Sequence, residues 1–333
     1  MRGVTFNWSE KPALVTGATG IVGSWLCEAL LDRGVRVIAL VLDDDPHSRF
    51  YAEEIYKRCT IVRGNLTNFT DCSRAINDHG AEVIFHLGAQ TIVGAALRDP
   101  LECFESNIRG TYNLLEAARR LPGLAERIVV ASSDKAYGDS AVLPYTEDMP
   151  LLGAYPYDVS KSCTDLLGRT YALTYEMGVT VARCGNIYGA GDLNWSRIVP
   201  GTIRSLCLGE RPVLRSDGSM IRDYIYVRDV ISAYILLAER ATENGVRGEA
   251  FNFSTGNKHT AFEIVEHIGK LMNLPVDPVI ENRAQMEILN QTLDSSKARE
   301  LLSWTSEYDL DAGLRETIAW YGDFLSRDAV AAR

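Results

Sequence analysis

The chain has 333 residues, enough for one large domain or two closely joined ones. With 46% hydrophobic and 23% charged residues it has an ordinary globular balance, and no run approaches the ~20 apolar residues of a membrane helix. A formal net charge of -10 argues against a general nucleic-acid-binding or anionic-membrane surface, although a few arginines can still build a local phosphate pocket.

The opening MRGVTFNWSEKPALVTGATG lacks a signal-peptide apolar core, so the chain reads as cytoplasmic and intact. From there, short runs rich in valine and isoleucine alternate with amphipathic stretches. ALVTG, VRVIALVL, CTIVRG, EVIFHLGA, RIVVASS and VTVARCG read as buried strands. IVGSWLCEALLDRG, TDCSRAINDHG, NIRGTYNLLEAARRL and YDVSKSCTDLLGRTYALTYEMG read as helices, several of them stopped by glycine. This alternation predicts a parallel sheet covered on both faces, the doubly wound α/β fold of Rossmann type. After Gly185 the rhythm breaks into turns, a short helix and short strands. EAFNFST is a later strand, and the residues beyond Thr260 read as mainly helical. The seven cysteines follow no C-x-x-C or Cys/His spacing, so they read as reduced packing thiols and no metal is expected.

The first chemical signal is VTGATGIVG, which sets Gly17, Gly20 and Gly23 between the first strand and the first helix. Glycine there permits a tight turn, close backbone approach to a pyrophosphate, and close helix–strand packing. The helix start, through Thr19, Ile21 and Val22, offers unpaired N–H groups and a positive dipole end. A dinucleotide is the expected ligand. A carboxylate ending the second strand would favour NAD by accepting from the adenosine ribose and repelling a 2′-phosphate. Asp43 stands at that distance, with Asp44 and Asp45 as rivals, while Arg49 leaves room for the phosphorylated cofactor.

The second signal is the stretch ASSDKAYG followed by YPYDVSK. Tyr157 and Lys161 share one helix face a turn apart. They read either as an ordinary surface pair or as a phenol whose pKa an ammonium lowers toward the working pH. Ser133, at the carboxyl end of a strand, favours the second reading, because parallel sheets bind ligands there.

Together with GNIYG and RDYIYVRD, in order along nearly the whole chain, these motifs resemble the extended short-chain dehydrogenase/reductases that act on nucleotide sugars. The resemblance implies NAD on residues 1–185 with a returning segment near 225–255. It places a nucleotide sugar on an interleaved lobe of residues 186–224 and 256–333. It also implies a homodimer packed through the tyrosine helix. Tyr157 becomes the acid/base at a sugar hydroxyl, Lys161 a contact of the nicotinamide ribose, and Ser133 a hydrogen bond to the reacting oxygen. Asn65 and Leu66 of RGNLTN fall at the adenine, where many relatives have Gly-Asp. Leu87, Gly88 and Ala89 pass beneath the cofactor, and His86 reads as a packed strand histidine. Gln90, Asn186, Arg197 and Arg222 fall where the family grips sugar and diphosphate; an arginine fork suits a diphosphate.

Asp134 and Lys135 separate chemistries within that family. As a local surface ion pair they leave a 4-epimerase using Ser133, Tyr157 and Lys161. As reacting groups they resemble the CDP-glucose 4,6-dehydratase branch, with Asp134 the acid for the carbon 6 hydroxyl and Lys135 the base at carbon 5. A lysine base needs desolvation or cationic neighbours to shed its proton near neutral pH. The expected activity is therefore an NAD-dependent 4,6-dehydratase acting on CDP-glucose. A 4-epimerase, or a catalytically silent NAD-binding protein, is the rival.

Overall fold

A computed structural model describes residues 6–283 and 287–331. Seven strands form one sheet: β1 Ala13–Thr16, β2 Val37–Val41, β3 Thr60–Arg63, β4 Val83–His86, β5 Arg127–Ala131, β6 Val179–Cys184 and β10 Ala250–Phe253. Their order is β10-β6-β5-β4-β1-β2-β3, and every neighbouring pair is parallel. All residues of β1, β2, β4 and β6 are buried. That explains runs without polar alternation: both faces are covered. One core, including Leu26, Val129, Val230 and Phe253, fills one face; the other, including Leu14, Leu114, Ile128 and Val181, fills the opposite face. Each such side chain, fully buried, contributes on the order of 1.5–3 kcal/mol.

The chain runs outward from β1 through β2 to β3 and then returns to β4 on the other side of β1. The crevice between the β1 and β4 loops is thus the switch point of the sheet, where such folds take their ligands.

The later strands build a smaller assembly on the carboxyl side. β7 Asn186–Tyr188, β9 Ile221–Tyr226 and β11 Lys258–Thr260 make a mixed sheet, and β8 Val213–Leu214 pairs with β12 Val279–Ile280. Thr260 and Glu263 close a capping box on helix Ala261–Met272. The mainly helical reading beyond Thr260 holds for that helix and for Leu310–Ala331. Between them the described residues are mostly irregular, because main-chain groups of residues 288–293 bond to Arg222, Ile221, Asp223 and Tyr145 instead of to a helix. The helix expected to begin at Asn107 also differs. A π-helical turn, Glu105–Arg109, precedes the regular Gly110–Arg119.

Candidate active site

The glycine loop has the geometry that a dinucleotide needs. Gly17 has φ +70, and a Cβ there would lie 2.8 Å from the Gly88 nitrogen; a Cβ on Gly23 would lie 2.0 Å from the Gly17 carbonyl oxygen. The β1 and β4 loops therefore meet backbone against backbone. Gly20 caps helix Ile21–Asp32 with no side-chain hydrogen bond, which leaves the first amides of Ile21 and Val22 to a ligand. Thr19 lies half-buried beside them. Leu66 packs its side chain against Gly88, while its carbonyl accepts from Asn113 at 2.9 Å. Leu87, Gly88 and Ala89 are half-buried along the same edge. These residues fit a bound dinucleotide.

At the end of β2 the three aspartates are no longer equivalent. Asp44 accepts from the Tyr51 hydroxyl and pairs with Arg63 at 2.6 Å, and Asp45 accepts from the His47 amide. Asp43 is exposed and has no such partner among the described residues, which leaves its carboxylate free for a ribose. The room that Arg49 left for a 2′-phosphate closes. Its guanidinium is buried, paired with Glu28 and Glu53 at 2.6 and 2.8 Å, and lies 4.0 Å over the Trp25 ring. Asn65 turns inward on its own loop, accepting from the Thr67 amide at 2.9 Å.

Helix Pro156–Tyr175 starts with proline at its first turn and carries Tyr157 and Lys161 into the protein, at 9% and 4% exposure. Lys161 donates to the Ala131 carbonyl at 2.8 Å, and its ammonium lies 6.0 Å from the centroid of the Tyr157 ring. Burial lowers the Lys161 pKa to about 8. The expected lowering of the tyrosine is not found. Burial pushes the Tyr157 phenol up, outweighing the opposing pull of the Arg197 guanidinium and of the hydrogen bond to Ser133. Desolvation of a phenolate costs more here than one already desolvated amine beneath the ring returns.

Ser133 caps the short 3-10 turn Asp134–Tyr137 at the end of β5. Its hydroxyl donates to Asp134 Oδ1 at 2.9 Å and accepts from the Lys135 amide at 3.2 Å. Lys135 Nζ lies 3.3 Å from Asp134 Oδ1 and 3.3 Å from Asn186 Oδ1. Asp134 is 1% exposed, and its Oδ2 is buried with no hydrogen-bond partner among the described residues. This is no solvated surface ion pair. Among the described residues Asp134 and Asp158 bring negative charge to Lys135.

The expected sugar and diphosphate contacts divide. Asn186 reaches Lys135, as above. Arg197 stands beside Tyr157, donating to Asp192 at 3.0 Å and Thr91 at 3.3 Å. Gln90 uses its side-chain oxygen to cap the Ile92 amide at 2.6 Å. Arg222 is turned away from an open grip. Its fork donates to the carbonyls of Leu289 and Ile288, both at 2.8 Å.

Three buried residues escaped the sequence reading. Asn107, within the π-turn, accepts from the Gln90 amide at 2.7 Å and donates to the Gln90 carbonyl and to Ser160 at 2.9 and 2.8 Å. It thus fixes the β4 loop to the tyrosine helix. Asp158 and Asp223 are 3% and 1% exposed. Burial raises both to about 6, with the Asp134 charge adding to the rise. The signals available were an aspartate directly after Tyr157 and another directly after Arg222. Among the described residues no group of acidic, histidine and cysteine side chains is arranged to hold a metal, and no helix is long and apolar enough to cross a membrane.

Comparison with known proteins agrees with this geometry. The chain is 30% identical to the CDP-glucose 4,6-dehydratase of Salmonella typhimurium, covering 94% of this chain and 91% of that one. It is 29% identical to a UDP-glucose 4-epimerase of Mycolicibacterium smegmatis, covering 92% and 97%. Among solved structures, a dTDP-glucose 4,6-dehydratase from Bacillus anthracis in complex with NAD superposes with a TM-score of 0.82 at 25% identity, covering 94% of this chain and 97% of that one. A UDP-glucose 4-epimerase from Thermotoga maritima gives 0.85 at 27% identity, covering 94% and 99%. A sequence model of the NAD dependent epimerase/dehydratase family matches residues 13–253. That span runs from β1 to the end of β10 and takes in the glycine loop, the Ser133 turn and the tyrosine helix, so the chain belongs to this NAD-dependent family of nucleotide-sugar epimerases and dehydratases.

Proposed function

We propose that the protein is a nucleotide-sugar 4,6-dehydratase acting on CDP-glucose, and that Ser133, Asp134, Lys135, Tyr157 and Lys161 carry the reaction. The observation that supports it is the burial of Asp134 beside Ser133 and a half-buried Lys135, with one carboxylate oxygen of Asp134 free of partners among the described residues. A 4-epimerase has no task for an acid and an amine there. NAD, held by Gly17, Gly20, Gly23, Asp43 and the Leu87–Ala89 edge, would take a hydride from carbon 4 and return it at carbon 6.

Tyr157 can accept the proton of the carbon 4 hydroxyl only as the phenolate, so its own proton must first be released to solvent against the upward pull of burial. Ser133 holds the reacting oxygen, and the resulting ketone acidifies carbon 5. Lys135, as the free amine, removes the carbon 5 proton, and Asp134, as the neutral acid, protonates the hydroxyl leaving carbon 6. The pair must therefore enter the step with its shared proton on Asp134 across the 3.3 Å contact. Lys161, whose pKa burial lowers to about 8, would place its ammonium near the phenol and would contact the nicotinamide ribose. Arg197 grips the diphosphate, and Asn186 keeps Lys135 aimed at the sugar; Arg222 joins the grip only by exchanging carbonyls for phosphate.

Residues 1–185 with the segment near 225–255 hold the dinucleotide in this reading, and residues 186–224 with 256–333 hold the sugar nucleotide. The protein works in the cytoplasm, as a homodimer packed through the tyrosine helix. On that helix Leu166 and Leu173, two turns apart on one face, are 52% and 70% exposed, an apolar pair that a second copy would cover.

The 4-epimerase reading keeps support from the nearly equal identities of the two kinds of relative. Incubation with CDP-, dTDP-, GDP- and UDP-hexoses, followed by mass spectrometry, separates the two. Loss of one water from CDP-glucose is expected. A product of unchanged mass supports epimerisation, and no turnover on any sugar supports a silent NAD-binding protein.

A further inference from the structure

His86 ends β4, is 3% exposed, and takes part in none of the steps above. Its ring lies between two threonines, with Nδ1 3.1 Å from Thr16 Oγ1 and Nε2 2.9 Å from Thr111 Oγ1. What those hydroxyls do elsewhere decides which nitrogen carries the proton. Thr16 Oγ1 accepts from the Leu87 and Gly88 amides at 3.0 and 2.9 Å, so its own proton goes to Nδ1. Thr111 Oγ1 donates to the Asn107 carbonyl at 2.5 Å, so it accepts from Nε2. The imidazole is therefore neutral, with its single proton on Nε2.

The chain of bonds continues in the same direction. Asn107, whose carbonyl receives Thr111, donates through its side chain to Ser160, whose hydroxyl donates to the Tyr157 carbonyl at 2.7 Å. One polarised path thus leads from the amides that edge the dinucleotide crevice to the backbone of Tyr157. We propose that His86 is a positioning residue that couples the dinucleotide crevice to the tyrosine helix through this one tautomer. A neutral imidazole suits the place because a rigid ring presents an acceptor at one end and a donor at the other. A second proton on Nδ1 would confront the Thr16 hydroxyl proton and add a positive charge near the Lys161 ammonium. Burial, helped by that ammonium, holds the ring at about 3, far below its usual value.

The proposal rests on NAD binding and stands whether the sugar is dehydrated or epimerised. Two measurements test it. In the NAD-loaded protein labelled with 15N-histidine, the His86 ring should show the neutral Nε2–H pattern, unchanged across the window of about pH 5–8 where histidines normally titrate. A ring protonated on Nδ1, or one titrating in that window, overturns the proposal. In His86→Phe, the Thr16 proton and the Thr111 acceptor lose their partner. Exchange of bound NAD for isotope-labelled NAD should then run about tenfold faster or more, the effect of stranding buried hydrogen-bonding groups. A folded His86→Phe protein that exchanges NAD at the wild-type rate also overturns it, and if that variant does not fold, the ring spectrum of the wild type decides alone.

Discussion

Asp165→Ala removes one half of a fully buried ion pair and measures what anchors the reacting turn. Arg183 on β6 donates to both oxygens of Asp165, at 2.7 and 2.9 Å, and both side chains are 0% exposed. The same guanidinium donates to the Tyr137 hydroxyl at 2.7 Å, and Tyr137, stacked on Tyr145 at 4.7 Å, ends the turn that carries Asp134 and Lys135. The alanine variant leaves a guanidinium out of reach of water with its charge uncompensated, at a cost of about 3–5 kcal/mol. At roughly 2 °C per kcal/mol for a chain of this size, the NAD-loaded protein should melt about 6–10 °C lower, followed by circular dichroism. The double variant Asp165→Leu/Arg183→Met should lose less than Asp165→Ala, since no charge is then stranded. An Asp165→Ala protein melting within about 2 °C of wild type, under 1 kcal/mol of change, refutes the reasoning. So does a double variant that loses more than Asp165→Ala.

Tyr157→Phe should slow turnover by roughly 10²–10⁴-fold, the usual loss for a general acid–base group, while sugar-nucleotide affinity measured by calorimetry changes little. Asp134→Asn should still exchange the carbon 5 hydrogen with deuterated water but release no water from the sugar, whereas Lys135→Met should do neither; full dehydration by Lys135→Met removes lysine from the base role. The pKa of Asp223, raised to about 6 from the ordinary value of about 3.9, makes the native state hold a proton that the unfolded chain has already lost, so stability falls as pH rises through that window. Asp223→Asn should abolish that part of the fall, gaining on wild type from about pH 4 to 6 and keeping the gain above it; denaturation curves that stay parallel across the window contradict the assignment.

Much of this architecture could be read before any coordinates, and the reason is local. Strands buried on both faces are mostly apolar, so RIVVASS and VTVARCG showed themselves as β5 and β6 despite the buried Arg183. A loop that passes backbone against backbone must be glycine, so Gly17 and Gly23 marked the crevice. What escaped depends on contacts between segments far apart in the chain. Asn107 looks like an ordinary helix residue until a π-turn aims it at Gln90 and Ser160. The upward shift of Tyr157 follows from burial, which no i, i+4 spacing records. The strand motif that puts Arg222 at the diphosphate gives no hint that residues 288 and 289 return to occupy its fork. Local pattern thus pointed to the groups proposed to react, and tertiary packing determines their electrostatics.

The central claim is that the hydride removed from carbon 4 returns to carbon 6 of the same sugar, and deuterium placed at carbon 4 of CDP-glucose tests it most directly. A single turnover of the NAD-loaded protein should give a product one water lighter, with the deuterium in the carbon 6 methyl group by NMR and no NADH released. Deuterium found still at carbon 4 of a sugar of unchanged mass would contradict the dehydratase and leave an epimerase in its place.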